Sequence, residues 1–403
     1  MTETFVPRAA GDAIKAAPRR FVLEALGEAD ATRRPADWRD RLDAARDDGV
    51  RREIAAKPGF SVKRLTTLVS PAASAHIEEM AARAVALTRR RFGNAISLFA
   101  PLYLSNYCVN RCRYCGFNAG RRHRRRRLSL DEAFAEAKIL AGGGFREILL
   151  VSGEDRAAID TEYLCALARR LRAGNLFSSV SVEIHVESEE NYRRLFEAGI
   201  DGVTIFQETY DRDEYALWHA GGPKTVYENR LIGQENAARA GMRRLGLGAL
   251  LGLTDWRFEA LALGVHASTL LKRYWRSKVS FSFPRIRPAE GGEGVLFRHI
   301  VADRDFVQML AALRLCFPDA GMTLSTRESP ALRDRLIPLG FTQISAGSRV
   351  NPGGYNENDG EPSSTGQFSV SDERGPAEMT AVLRRLGFDP VWKDWDAGFG
   401  GGA

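Results

Sequence analysis

The 403-residue chain carries 58 lysines and arginines against 51 aspartates and glutamates, and it is 44% hydrophobic and 27% charged. These proportions exclude fibrous and disordered classes, and the length accommodates an α/β barrel with extensions. The formal charge of +7 admits nucleic acid as a partner, but apart from a run at 121–127 the arginines are spread through predicted helices, where solvated faces account for them.

The opening stretch MTETFVPRAAGDAIKAAPRR lacks the apolar run of a signal peptide. The most apolar segment, LGLGALLGL at 245–253, is too short to span a bilayer, so a cytoplasmic location is expected. Residues 1–90 read as a charged, mainly helical extension. From residue 96 short apolar stretches alternate with amphipathic ones, the pattern of repeated βα units. A strand over 97–104 leads into a cysteine-rich loop, and SLDEAFAEAKILAGGG follows as a helix with a Ser129/Glu132 capping box and a glycine stop. Further strands are predicted over 147–153, 179–186, 201–209, 244–253, 278–288, 322–328 and 341–347, with helices near 161–173, 188–198, 226–240, 256–275, 303–316 and 330–338. Eight such units make a (β/α)8 TIM-type barrel over 91–349 the expected fold, with an open doubly wound sheet as the alternative. Residues 350–403 should form a long turn-rich loop, a helix near 376–386, and a flexible glycine tail.

Five cysteines, at 108, 112, 115, 165 and 316, are an odd number, which in a reducing compartment favours ligation or chemistry over disulfides. Cys165 and Cys316 sit among leucines on predicted helices and read as buried free thiols. Cys108, Cys112 and Cys115 fall in the loop after the first strand, at the end of a barrel where catalytic groups gather. Most iron–sulfur cubanes take four cysteines, so a compact CxxxCxxC leaves one iron open. The competing reading is a zinc or nucleic-acid-binding module in which His123 is the fourth ligand and RRHRRRR grips phosphate.

The spacing and its strand context resemble the radical S-adenosylmethionine (SAM) enzymes, in which SAM chelates the open iron. NYCVNRCRYCGF, VSGE at 151–154, DGVTIFQETY at 201–210, GLGALLGLTDWR at 246–257, YWRSKVSFSFPRIRP at 274–288, LSTRESP at 324–330, ISAGS at 344–348 and VWKDW at 391–395 narrow the resemblance to the tyrosine lyases of thiamine biosynthesis, in the aromatic amino acid lyase branch. It implies a [4Fe-4S] cluster on Cys108, Cys112 and Cys115, and cleavage of the Cα–Cβ bond of L-tyrosine to 2-iminoacetate and 4-cresol. Thiazole synthase is the implied recipient of the 2-iminoacetate. It also implies Glu154, Glu208, Tyr210, Arg285 and Arg287 around SAM, with Gln207 near SAM and substrate, and a carboxylate site built from Arg327, Tyr103 and Ser345. Glu183, His185 and His266 are candidates for a base at the substrate phenol. The arginines at 121, 122, 124, 125, 126 and 127 are either a solvated loop or a docking patch for an acidic flavodoxin-type electron donor. Two relatives, the tyrosine lyase of hydrogenase maturation and lyases acting on tryptophan, differ in sequence. The former carries further C-terminal cysteines, whereas none follows Cys316, and the latter departs from the YCGF ending.

Overall fold

The computed structural model describes residues 20–28, 38–289, 294–356 and 364–392. Eight parallel strands close on themselves in chain order: β1 (Ala95–Ser105), β2 (Glu147–Ser152), β3 (Ser179–Glu183), β4 (Gly202–Glu208), β5 (Arg244–Ala249), β6 (Lys278–Ser282), β7 (Gly321–Leu324) and β8 (Gln343–Ser345). Closure comes from β1, which pairs with β8 at Ser97–Gln343 and with β2 at Ala100–Ile148. This is the expected (β/α)8 barrel.

Closure and twist put alternate residues of each strand into the lumen. Here many of them are small: Ser181, Thr204, Gly246, Ser280, Ser282, Thr323 and Ser325 all line it. Most TIM barrels fill this space with branched apolar side chains. The substitution of hydroxyls and glycine leaves a cavity of about 140 Å³. A buried polar cluster closes its lower end, where Glu147 accepts from Ser97 Oγ (3.0 Å), Arg244 Nη1 (3.0 Å) and Gln343 Nε2 (2.8 Å).

Helices α1 (Phe21–Glu28), α2 (Arg39–Asp43), α3 (Asp47–Ala55), α4 (Val62–Val69) and α5 (Ile77–Phe92) precede the barrel. The barrel's own helices are α6 (Leu130–Gly142), α7 (Thr161–Ala173), α8 (Glu189–Ala198), α9 (Arg212–Trp218), α10 (Tyr227–Arg239), α11 (Trp256–Arg273), α12 (Asp303–Cys316) and α13 (Pro330–Leu336). The α6 capping box forms in both directions: Glu132 N donates to Ser129 Oγ (3.2 Å) and Ser129 N to Glu132 Oε2 (2.7 Å). Apolar residues lie all around α11 because it is covered on both sides, by the barrel and by α1 and α4. No helix among the described residues is long and apolar enough to cross a membrane.

Several strands are shorter than the apolar runs that predict them. β3 ends at Glu183, β6 at Ser282 and β7 at Leu324, and the remainder of each run bends over the mouth as loop. At β6 the cause is Pro284, which cannot donate to a ladder. Two elements absent from the sequence reading are α9, in the loop after β4, and β9 (Asp389–Val391), which follows α14 (Pro376–Arg385) and pairs with the start of β1. The expected glycine tail lies outside the described residues.

Candidate functional site

The cysteine loop leaves β1 at the mouth and is tied down at its base by Asn106. That side chain accepts from Arg126 N (2.7 Å) and donates to Arg124 O (2.8 Å) and Thr365 O (3.1 Å). Cys112 is buried, and Cys108 and Cys115 are half-buried. Backbone N–H groups of Asn110 and Phe117 point at the sulfurs of Cys108 and Cys115, each at 3.4 Å. Burial raises all three thiols, Cys115 to about 11, so they stay protonated at neutral pH unless a bound cation draws off the proton.

Neighbouring backbone approaches this loop closely. A Cβ on Gly153 would lie 2.2 Å from Tyr107 O, and one on Gly116 would lie 2.5 Å from Gly366 O. Among the described residues no three Cys, His, Asp or Glu side chains are grouped to hold one metal ion. Three thiols from one loop, two of them met by N–H donors, suit an iron–sulfur cluster with one iron left open, whereas a structural zinc takes four ligands.

Beside the loop lies a buried network of four charges. Arg230 Nη1 meets Glu154 Oε1 at 2.8 Å, and Lys224 Nζ meets Glu208 Oε1 at 2.5 Å. Cross-contacts of 3.8 and 3.9 Å link the two pairs. Asn110 Nδ2 donates to Glu154 Oε2 (2.9 Å), and Lys224 N donates to Asn110 Oδ1 (2.8 Å), so the network is continuous with the cysteine loop. Burial opposes ionisation of Glu154, but Arg230 and Lys224 outweigh it and hold the carboxyl down to about 2. Glu208 is lowered in the same way.

Glu208 reaches this network through a backbone irregularity. Register against β5 shifts between Phe206 and Glu208, and Glu208 adopts φ 70°, a strained conformation for a non-glycine residue. Strand parity puts Phe206 in the lumen and Gln207 outside, where Gln207 Nε2 donates to Tyr227 O (3.4 Å). Gln207 is thus not brought to the lumen as the sequence reading expected. The same holds for Tyr210, which is fully buried behind the barrel wall, its hydroxyl 2.8 Å from His266 Nδ1. Burial pushes His266 down to about 3 and keeps it neutral. It too stands away from the cavity.

The opposite side of the lumen carries charge without such pairing. Arg327, in the loop after β7, lies face-on to the Phe368 ring (3.5 Å from Cζ to the centroid) and makes no ion pair among the described residues. Tyr103 and Ser345 line the same cavity, as does Glu183, which ends β3 between the strands that lead to Glu154 and Glu208. Glu183 is raised to about 7, by burial first and then by Glu208, against the pull of Arg327. Tyr103 donates to Gln367 Oε1 (2.7 Å). Of the remaining phenol-base candidates, His185 is buried and held by Glu187 (2.8 Å).

Arg285 and Arg287 lie past the end of β6, so the two-residue strand period does not govern them. Both are engaged at the outer rim by Glu328; Arg285 also contacts Asp303 (2.7 Å), and Arg287 meets Glu328 Oε2 at 2.7 Å. This is the rim salt bridge rather than a guanidinium presented to the lumen. Cys165 and Cys316 are buried free thiols, as expected. Sequence reasoning missed Lys224, Arg230, Gln367 and Phe368. The first two lie in the loop and helix after α9. The last two belong to the C-terminal loop, which folds back so that Gly116 N donates to Gln367 O (3.1 Å).

Comparisons with known proteins agree with this geometry. The model of the radical SAM superfamily matches residues 102–263, and that of the biotin and thiamin synthesis associated domain matches residues 282–389. The chain is 40% identical over 365 residues to 2-iminoacetate synthase of Escherichia coli (strain K12), covering 88% of this chain and 95% of that protein. Identity and coverage are the same for 2-iminoacetate synthase of Salmonella typhimurium. A crystal structure of HydG, a maturase of the [FeFe]-hydrogenase, aligns with TM-score 0.84 at 32% identity, covering 92% of this chain and 82% of that one. Near-full-length identity at this level, on a closed barrel with its cysteine loop at the mouth, establishes that the chain belongs to the 2-iminoacetate synthase family of radical SAM enzymes.

Proposed function

We propose that the chain is a radical SAM carbon–carbon lyase that cleaves the Cα–Cβ bond of L-tyrosine to 2-iminoacetate and 4-cresol, with 5′-deoxyadenosine and methionine formed from SAM. The product supplies the thiazole moiety of thiamine. The observation that carries this reading is the 40% identity to 2-iminoacetate synthase along 88% of the chain. Cys108, Cys112 and Cys115 are assigned as ligands of a [4Fe-4S] cluster with one iron open to SAM. Glu154 and Glu208 are assigned to the SAM side of the mouth. When bound, a cluster reduced by one electron and SAM would together supply the 5′-deoxyadenosyl radical that removes hydrogen from the tyrosine amino group.

The chain's residues orient the substrate. Arg327 offers a planar guanidinium without an ion-paired carboxylate among the described residues, suited to two parallel hydrogen bonds with the tyrosine carboxylate. Tyr103 and Ser345 flank it on the cavity wall and complete that site. Glu183, raised to about 7, is matched to accept the phenol proton near neutral pH and so favours scission. The C-terminal loop, with Gln367 and Phe368, covers this pocket and limits the entry of water.

A helical extension (1–90), a barrel (91–349) and a C-terminal segment (350–403) form the proposed division of the chain. Thiazole synthase as recipient and a flavodoxin-type electron donor complete the reading. Arg122 and Arg124, exposed in the arginine run, are the members offered to such a donor. The test is anaerobic. Protein reconstituted with iron and sulfide, given SAM, reductant and L-tyrosine, should form 5′-deoxyadenosine and 4-cresol together. An intact cluster that yields no 4-cresol contradicts the assignment.

A further inference from the structure

The arginine run at 121–127 is not one uniform surface. Arg121 donates to Cys115 O (3.2 Å) and Arg113 O (2.6 Å), Arg126 meets Glu132 (3.2 Å), and Arg127 lies over the Tyr163 ring (5.1 Å). Arg125 is different again. Its Nη1 donates to Asn106 O and to Phe117 O (3.0 Å), and its Nη2 donates to Asn118 O (3.0 Å). Asn106 precedes the first loop cysteine, whereas Phe117 and Asn118 follow the last. One guanidinium therefore closes the cysteine loop from both ends.

Carbonyl oxygens satisfy its N–H groups but cannot neutralise its charge. Arg125 has no ion pair with a carboxylate among the described residues, although it is half-buried. Burial lowers its pKa, and the foremost groups opposing that shift are Cys108 and Cys115. A partly desolvated cation clamped to both ends of this loop, with Asp155 the weaker opposing charge, gains a further counter-charge when the sulfurs carry one.

We propose that Arg125 is a positioning residue that staples the cysteine loop and, through its uncompensated charge, raises the reduction potential of the cluster held by that loop. This rests on the cluster assignment made above. Potentials of such clusters follow net charge and nearby hydrogen bonds. Adding an electron makes the cluster more negative, and a fixed neighbouring cation favours that state.

Two substitutions separate charge from geometry. Arg125→Gln removes the charge and keeps a short donor, whereas Arg125→Lys keeps the charge and loses the three-carbonyl fork. The readout is an EPR-monitored redox titration of anaerobically reconstituted protein without SAM, together with iron and sulfide content. At the wild-type midpoint, Arg125→Gln should lower the ratio of reduced to oxidised cluster about tenfold, equal to a shift of ~59 mV for a one-electron couple. Arg125→Lys should stay near the wild-type midpoint while losing iron faster to a chelator. The exposed Arg122→Gln should change neither.

A full cluster at the wild-type midpoint in Arg125→Gln overturns the proposal, and so does an equal shift in the Gln and Lys variants. Loss of the cluster from both variants overturns it as well, leaving Arg125 a scaffold residue only. Loss from Arg125→Gln alone supports the requirement for charge. Wild-type protein that takes up no iron and sulfide would instead refute the cluster assignment itself.

Discussion

The two sides of the barrel mouth use charge in opposite ways. On the β2–β4 side, Glu154, Glu208, Lys224 and Arg230 satisfy one another within a buried network. Across the lumen, Arg327 beyond β7 faces the cavity with no ion pair among the described residues, and so does Glu183, although it rises from β3 between β2 and β4. A closed network contributes a rigid frame, since removing one member strands its partner. Unpaired groups in a cavity are held by the surrounding fold for a ligand that completes them, and such positions carry function rather than stability. The difference separates a paired frame on the proposed SAM side from the proposed receptor for the substrate.

The largest expected effect lies on the paired side. Arg230→Met leaves Glu154 with a reduced counter-charge and should lower stability by about 3–5 kcal/mol, read by denaturant unfolding. Arg327→Met should leave the unfolding midpoint unchanged or slightly raised. Its kcat/KM for L-tyrosine should nevertheless fall between about 10²- and 10³-fold, the value of two charge-assisted hydrogen bonds, with Arg327→Lys only partly restoring it. A large stability loss in the Arg327 variant would erase the distinction between the two sides.

Glu183→Gln should lower kcat by about 10²-fold. Because a base acts in its ionised form, the wild-type rate should rise with pH through a value of about 7, and this limb should be absent in the variant. A variant retaining the limb would assign the titration elsewhere. The smallest effect belongs to Tyr210→Phe, which removes the hydroxyl bonded to His266 behind the wall. It should lower stability by about 1 kcal/mol and leave KM for SAM and tyrosine unaltered.

Much of this was legible in sequence where a local pattern decides the outcome. The alternation of apolar strands and amphipathic helices specifies the barrel. The capping residues Ser129 and Glu132 specify where α6 begins. Tyr103, Glu154, Arg327 and Ser345 can be nominated from sequence because each lies at or near a strand end, where the fold directs side chains to the mouth. Gln207 faces outward by ordinary strand parity, whereas the position of Tyr210 follows the bulge at Glu208, which no residue type announces. Lys224, Arg230, Gln367 and Phe368 escaped notice for another reason. They reach the site through long-range contacts, such as the pairing of Gly116 with Gln367, which leave no periodic trace in the chain.

The central claim is that Arg327 waits for the substrate carboxylate, and the most direct measurement compares L-tyrosine with tyramine, which lacks that group. Equilibrium binding of both to anaerobically reconstituted protein with SAM should favour L-tyrosine by at least about 10²-fold, a preference that Arg327→Met abolishes. An Arg327→Met protein that still prefers L-tyrosine to the wild-type extent would contradict the claim.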